Sequence, residues 1–262
     1  MTQRFDTPNP ILVDVRLPSG DVELDAGETS ETEVTVEPRN DSARDRLDQV
    51  VVALEGDRLR IEVPENRFSI GRSPEYAVTV RCPTGSRVRL KTASADFTAR
   101  GTVGGVEVKA ASGDVTVADV DGDLRVDAAS SDIRAASVSG DASVRSVSGD
   151  IELGRALGPV NAQSVSGDVR LREAHGRTQV QTVSGDLQVD RLAAGSLQLN
   201  AVSGDVDLAI APGAAVWLDV RSLSGDMSSE LAGGEEPREG ESVIEIRGKT
   251  VSGDVRVRRA VA

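Results

Sequence analysis

Aromatic side chains make up only 2% of this 262-residue chain, and cysteine and histidine occur once each. A lone cysteine, Cys82, excludes an intrachain disulfide and leaves a reducing compartment open. Basic charge is in deficit: 30 Lys and Arg face 43 Asp and Glu, a net charge of −13. That balance argues against nucleic acid as the main partner, and equally against an anionic membrane surface. No run approaches the roughly 18 apolar residues that a membrane helix needs. The best candidate, AIAPGAAVWL (209–218), is broken by Pro212 and Gly213. MTQRFDTPNPILVDV, the first stretch, lacks a basic region followed by an apolar one, so no signal peptide is read and a cytoplasmic location is expected.

With few aromatics, Val, Leu, Ile and Ala must supply the core, which favours a narrow, regular interior. What the chain has in abundance is a repeat. Val-Ser-Gly-Asp begins at Val138, Val147, Val165, Val183, Val202 and Val251, with near copies at Ala111, Leu223 and Ala129. The glycines fall at 113, 149, 167, 185 and 204, with Ser131 in the missing slot, a spacing of 18 that stretches to 19 at the last step. A fixed period in this range is the signature of a repeat architecture.

Inside each 18 residues lies a weaker period of nine: apolar-x-apolar-x-x-apolar-x-Gly-x. The first apolar position holds Val115, Ile133, Ile151, Val169, Leu187 and Val206, and Thr178 is the one polar residue in this series. Two residues on, Val117, Leu153, Leu171 and Val189 repeat the pattern, alternating as a strand does. A third inward position, after a gap of three, is assigned to Val120, Val138, Val147, Val165, Ala174, Val183, Leu192 and Val202. The gap bends the backbone, and glycine two residues later makes the corner. The expected fold is all-β: an elongated two-faced parallel β-solenoid, with two strands per rung and irregular β caps at both ends. Three six-residue faces also fit a period of 18, but they need an apolar residue every six, so two faces fit better.

Residues 88–210 carry the solenoid repeats, about seven rungs or roughly 33 Å of stack. Residues 1–87 and 211–262 read as caps within one continuous structural domain. The first cap holds strands at 11–17, 31–37, 50–55, 59–63 and 76–82, and a helical turn at 40–47 capped by Asn40 or Asp41. LPSGDVEL (17–24) carries an isolated copy of the motif and reads as an early rung. The second cap holds strands at 216–220, 242–248 and 254–259, with LAGGEEPREGE (231–241) as a solvated loop. Phe5, Phe68, Tyr76 and Trp217 lie in these flanks, where they are expected to cover the raw ends of the stack.

The 18-residue register stacks Asp114, Asp132, Asp150, Asp168, Asp186 and Asp205 on one corner. Neighbouring carboxylates about 5 Å apart repel by roughly 1 kcal/mol in water. One offset is a structural turn ladder, each Asp accepting a backbone N–H in its own turn. The other is a row of cations. Calcium-binding nonapeptides, however, use more glycine and separate Asp from its apolar neighbour. No metal site and no cofactor are therefore expected.

Chemistry is hard to find. His175 sits in the turn EAHGR (173–177), and Cys82 precedes Pro83 without a histidine nearby. No phosphate loop, dinucleotide fingerprint or zinc spacing appears. Polysaccharide-cleaving β-helices need carboxylates gathered once, whereas here they repeat regularly. The candidate partner surface is the second strand face. Its outward positions include Asn161, Gln163, Gln179, Gln181, Gln198 and Asn200, joined by Ser143 and Arg145, one charge among eight. Amides of this kind also hydrogen-bond up and down a stacked sheet.

The motifs VSGDI (147–151), VSGDV (165–169, 202–206, 251–255) and VSGDL (183–187) carry a resemblance, together with VTVRCPTGSRVRL (78–90) and PGAAVWLDVRSLSGDM (212–227). Over most of residues 60–258 the chain resembles the bacterial "putative adhesin" or toast-rack β-strand repeat family, a domain of unknown function. The resemblance implies a non-catalytic β-solenoid, with some members associated with cell-envelope stress systems. The expected function is a non-enzymatic scaffold or protein-interaction module that binds an unknown protein or itself, without inserting into a membrane. The alternative is an exported adhesin-like protein that binds cations or glycans.

Overall fold

The computed structural model describes residues 1–63, 73–231 and 243–260. The chain divides into two compact units, 1–132 and 133–262. Both are built from parallel strands stacked into rungs.

The first unit begins with β1 (Thr2–Asp6), β2 (Leu12–Gly27) and β3 (Glu31–Pro38). Helical turn α1 (Asp41–Arg44) follows, with the Asn40 side chain accepting from the Ala43 N–H at 2.8 Å. Next come β4 (Val51–Glu55), β5 (Arg58–Glu62), β6 (Glu75–Pro83), β7 (Arg87–Val103), β8 (Gly105–Ser112), β9 (Val115–Val120) and β10 (Leu124–Ser130). β2 and β7 each run through a corner and serve both faces, pairing in parallel from Leu12↔Arg87 to Ala26↔Gly101. The motif copy in LPSGDVEL thus lies in a true rung. The order of rungs is not the order of sequence, however. β2 lies between β7 and the pair β5 and β6, which follow it in the chain. Antiparallel partners then cover the outer rung, β4 on β5, and β3 followed by β1 on β6. Antiparallel additions of this kind keep a parallel edge from pairing with other chains.

The second unit contains β11 (Ile133–Val138), β12 (Ala142–Ser148), β13 (Ile151–Ala156), β14 (Val160–Ser166), β15 (Val169–Ala174) and β16 (Arg177–Ser184). It continues with β17 (Leu187–Leu192), β18 (Ser196–Ser203), β19 (Val206–Ile210), β20 (Ala215–Ser224), β21 (Met227–Ser229), β22 (Val243–Ser252) and β23 (Val255–Arg259). Odd-numbered strands β11 to β19 build the first face, and even-numbered strands β12 to β18 the second. The register is the 18-residue step: Ile151 pairs with Val169, and Val169 with Leu187, all inward and at most 1% exposed. Here too the sequence order is broken. β22 lies between β18 and β20, and β23 between β19 and β21.

The core is a double row of Val, Leu, Ile and Ala, as a chain poor in aromatics requires. Thr178 joins it, fully buried, with its hydroxyl donating to the Gly176 carbonyl at 3.4 Å. The third inward position needs correction. Val120, Val138, Ala174 and Leu192 are buried, but Val147, Val165, Val183 and Val202 are 44–51% exposed. Their predecessors Ser146, Ser164, Thr182 and Ala201 face the core instead. The two half-rungs therefore differ. First-face strands bend after their second apolar residue, whereas second-face strands alternate strictly up to the corner. A buried hydroxyl is tolerated there because the corner supplies acceptors: Ser146 donates to the Ser148 carbonyl at 2.8 Å, and Ser164 to the Gly167 carbonyl at 3.3 Å.

The expected loop at 231–241 lies outside the described residues except for Leu231, and so does Phe68. Tyr76 is fully buried, whereas Trp217 is 45% exposed beneath the Arg247 guanidinium, 5.1 Å from its ring centroid. Trp217 therefore does not act as a buried plug.

Candidate functional site

The corner built by Ser-Gly-Asp explains its own sequence. In the third rung of the second unit, Gly167 donates to the Ser184 carbonyl at 3.1 Å and Val169 to the Asp186 carbonyl at 2.9 Å, both in the next rung. The N–H of Asp168, between them, points the other way, to Asp150 Oδ1 of the preceding rung at 2.9 Å. A carboxylate thus stands where a regular parallel ladder would offer a carbonyl. Gly167 is required because its φ is +136° and an added Cβ would lie 2.2 Å from the Gly149 carbonyl oxygen.

The same bond joins Asp114 to Asp96 and Asp132 to Asp114 in the first unit. In the second it joins Asp186 to Asp168, Asp205 to Asp186, Asp254 to Asp205 and Asp226 to Asp254. Each donor belongs to the neighbouring rung, not to the aspartate's own turn as the sequence reading had it. Asp96, Asp254 and Asp226 are members that the reading left out. Asp254 and Asp226 carry the full motif, while Asp96 sits in ASAD (93–96), where alanine hides it. Among the described residues, no group of three His, Cys, Asp or Glu converges as metal ligands would.

The two outer faces of the second unit differ in kind. Charges interleave on the first face. Arg170 pairs with Asp190 at 2.8 Å, Arg258 with Asp207 at 3.0 Å, and Arg172 with Glu152. His175 joins this face through Glu173, its Nε2 lying 3.0 Å from Oε1. On the second face Ser143, Asn161, Gln179 and Gln198 form one outward column, and Arg145, Gln163, Gln181 and Asn200 the next. The six amide residues are therefore gathered on one surface. Two bonds tie it together: Gln179 donates to Gln198 at 3.2 Å, and Gln163 to Asn161 at 3.4 Å.

The exposed valines extend this surface. Val147, Val165, Val183 and Val202 stand in successive rungs beside the amide columns; the row continues through Val251 to Leu223, 83% exposed, where the same columns hold Arg247 and Lys249 and then Asp219 and Arg221. Sequence reasoning missed them by treating every valine as inward. The signal was available: in VNAQSV (160–165) strict alternation puts Val165 on the side of Asn161 and Gln163.

Stacked parallel rungs with a glycine corner and flat outer faces define a two-faced parallel β-solenoid. The chain belongs to the Toastrack DUF4097 family, whose model matches residues 11–258. It is similar to the solved structure of a "putative adhesin" from Parabacteroides distasonis, at 13% identity and a TM-score of 0.51 over 98% of this chain and 96% of that one. A "putative lipid binding protein" from the same organism is similar at 14% identity and a TM-score of 0.40, over 97% of this chain and 96% of that one. For a "putative adhesin" from Bacteroides fragilis the values are 11%, 0.37, 98% and 96%. At such identities likeness shows the fold alone. No curated protein matches the chain.

Proposed function

We propose that this chain is a non-enzymatic scaffold whose second face in the second unit docks another protein or a second copy. The observation that carries the reading is the row of exposed valines beside two nearly uncharged amide columns, in a chain that is 28% charged. Contiguous exposed apolar side chains mark interaction sites, and uncharged hydrogen-bonding groups lose less on desolvation than charged ones. The regular repetition of outward side chains supports a binding face over a catalytic centre, which gathers unlike groups once. By family resemblance, the partner belongs to a cell-envelope stress system met in the cytoplasm. The name "putative adhesin" carried by similar structures fits a binding role.

The test replaces Gln179, Gln181 and Gln198 together by Lys, and separately Val165, Val183 and Val202 by Ser. All six side chains point outward, so both variants should stay folded with the wild-type circular dichroism, the Lys variant melting somewhat lower because it places like charges in neighbouring rungs. Affinity capture with cross-link mapping, and sedimentation of the purified protein, should then show loss of the partner or of self-association. Undiminished capture by both variants would sink the reading. Cell fractionation separates a cytoplasmic scaffold from an exported adhesin.

A further inference from the structure

The corresponding face of the first unit is charged, and its charges are unevenly placed. Across β5, β2, β7, β8 and β10, one outward column reads Arg60, Asp14, Arg89, Glu107 and Arg125. Its signs alternate, and Arg89 reaches Glu107 at 2.9 Å. The next column reads Glu62, Arg16, Lys91, Lys109 and Asp127, which puts three cations in succession. Rungs lie about 4.8 Å apart, where like charges repel by roughly 1 kcal/mol in water. Arg16 has Glu62 at 3.9 Å and Lys109 has Glu107 at 3.5 Å. Lys91, between them, has no ion-pair partner among the described residues.

This row borders a cleft of about 880 Å³. Ala93, Ala111 and Ala129 line it, where the same position relative to the corner in the second unit holds exposed valines. Pro18 adds apolar surface, above the buried side chains of Leu17 and Val63.

We infer that the cleft binds a small organic anion with a short apolar body. Its anionic group sits at Lys91, between Arg16 and Lys109, and its apolar part lies over Pro18 and the alanines. An anion there replaces two like-charge contacts with attractions. The volume is that of an ordinary small-molecule site. A carboxylate and a phosphate ester share this chemistry, and the experiment separates them.

Calorimetric titration of the full chain uses decanoate and octyl phosphate below their micellar concentrations, with decanol and acetate lacking the charge or the chain. At least one of the two amphiphilic anions should bind with 1:1 stoichiometry, more weakly as salt rises. Decanol and acetate should bind at least about tenfold more weakly, or roughly 1.4 kcal/mol. Lys91→Glu should lose binding by a similar factor while its unliganded melting temperature stays level or rises, because it breaks the row of cations. Lys91→Arg should retain binding, and Val183→Ser, in the second unit, should leave it unchanged. Absence of binding by both anions would overturn the inference. So would equal binding by Lys91→Glu, or loss through Val183→Ser in its place.

Discussion

The carboxylate of Asp168 accepts the backbone N–H of Asp186 across 2.8 Å, one rung away. That bond converts a liability into a structural element. Stacked carboxylates repel, yet each offsets the cost by satisfying an amide that the glycine corner has turned away from the carbonyl ladder. Asp168→Ala removes the acceptor and should destabilise by about 1.5 kcal/mol, the low end for a charged hydrogen bond because the corner is exposed. Asp168→Asn keeps an oxygen in place and should cost less than half as much. Urea denaturation of both variants measures the difference, and equal losses would mean that charge, not the acceptor, matters.

The same bonds bear on cations. Carboxylate oxygens already committed to amides in successive rungs are poorly disposed to gather around an ion. Thermal scans in EDTA and in millimolar calcium should therefore superimpose, since any ion that bound the folded state would raise the melting temperature as its concentration rose. A shift of several degrees would instead make the ladder a cation site.

Two valines four residues apart separate the inward from the outward register. Val169 is fully buried between Ile151 and Leu187, and a carboxylate there should cost several kcal/mol. Val165 is 44% exposed. Val169→Asp should unfold or aggregate the protein, whereas Val165→Asp should stay within about 0.5 kcal/mol of wild type. Comparable damage from the two would contradict the alternation that runs into the corner.

The period of 18 made the rungs legible, because parallel stacking requires that each inward residue fall on its copy. Ile151, Val169 and Leu187 could be aligned without coordinates. What the period hides is any departure from equivalence. Ser164 inside and Val165 outside defy hydrophobicity, and only the corner carbonyl that takes up the Ser164 hydroxyl makes the exchange affordable. The placement of β22 between β18 and β20 was equally hidden, because periodicity records which residues stack but not the order in which rungs do so. The amide columns were legible as outward positions; the valine row that completes the candidate face was not.

Cys82 provides a test through pH. It is buried on β6, and burial pushes its thiol from an ordinary 9.0 up to about 11, against a smaller lowering by the Ser86 hydrogen bond. At pH 8 the native thiol should therefore resist a disulfide reagent and react fully in concentrated guanidinium. The sign of the stability effect follows from linkage. Above pH 9 the unfolded thiol ionises while the folded one keeps its proton, so the unfolded state gains. Stability from this group is complete below pH 9 and is lost as pH rises toward 11. Tyr76, whose phenol is also raised by burial, titrates nearby, so the comparison must be with a variant. Cys82→Ala should flatten the decline in melting temperature between pH 9 and 11 relative to wild type, despite a lower starting value. Parallel declines in the two proteins would show that the thiol does not carry the effect.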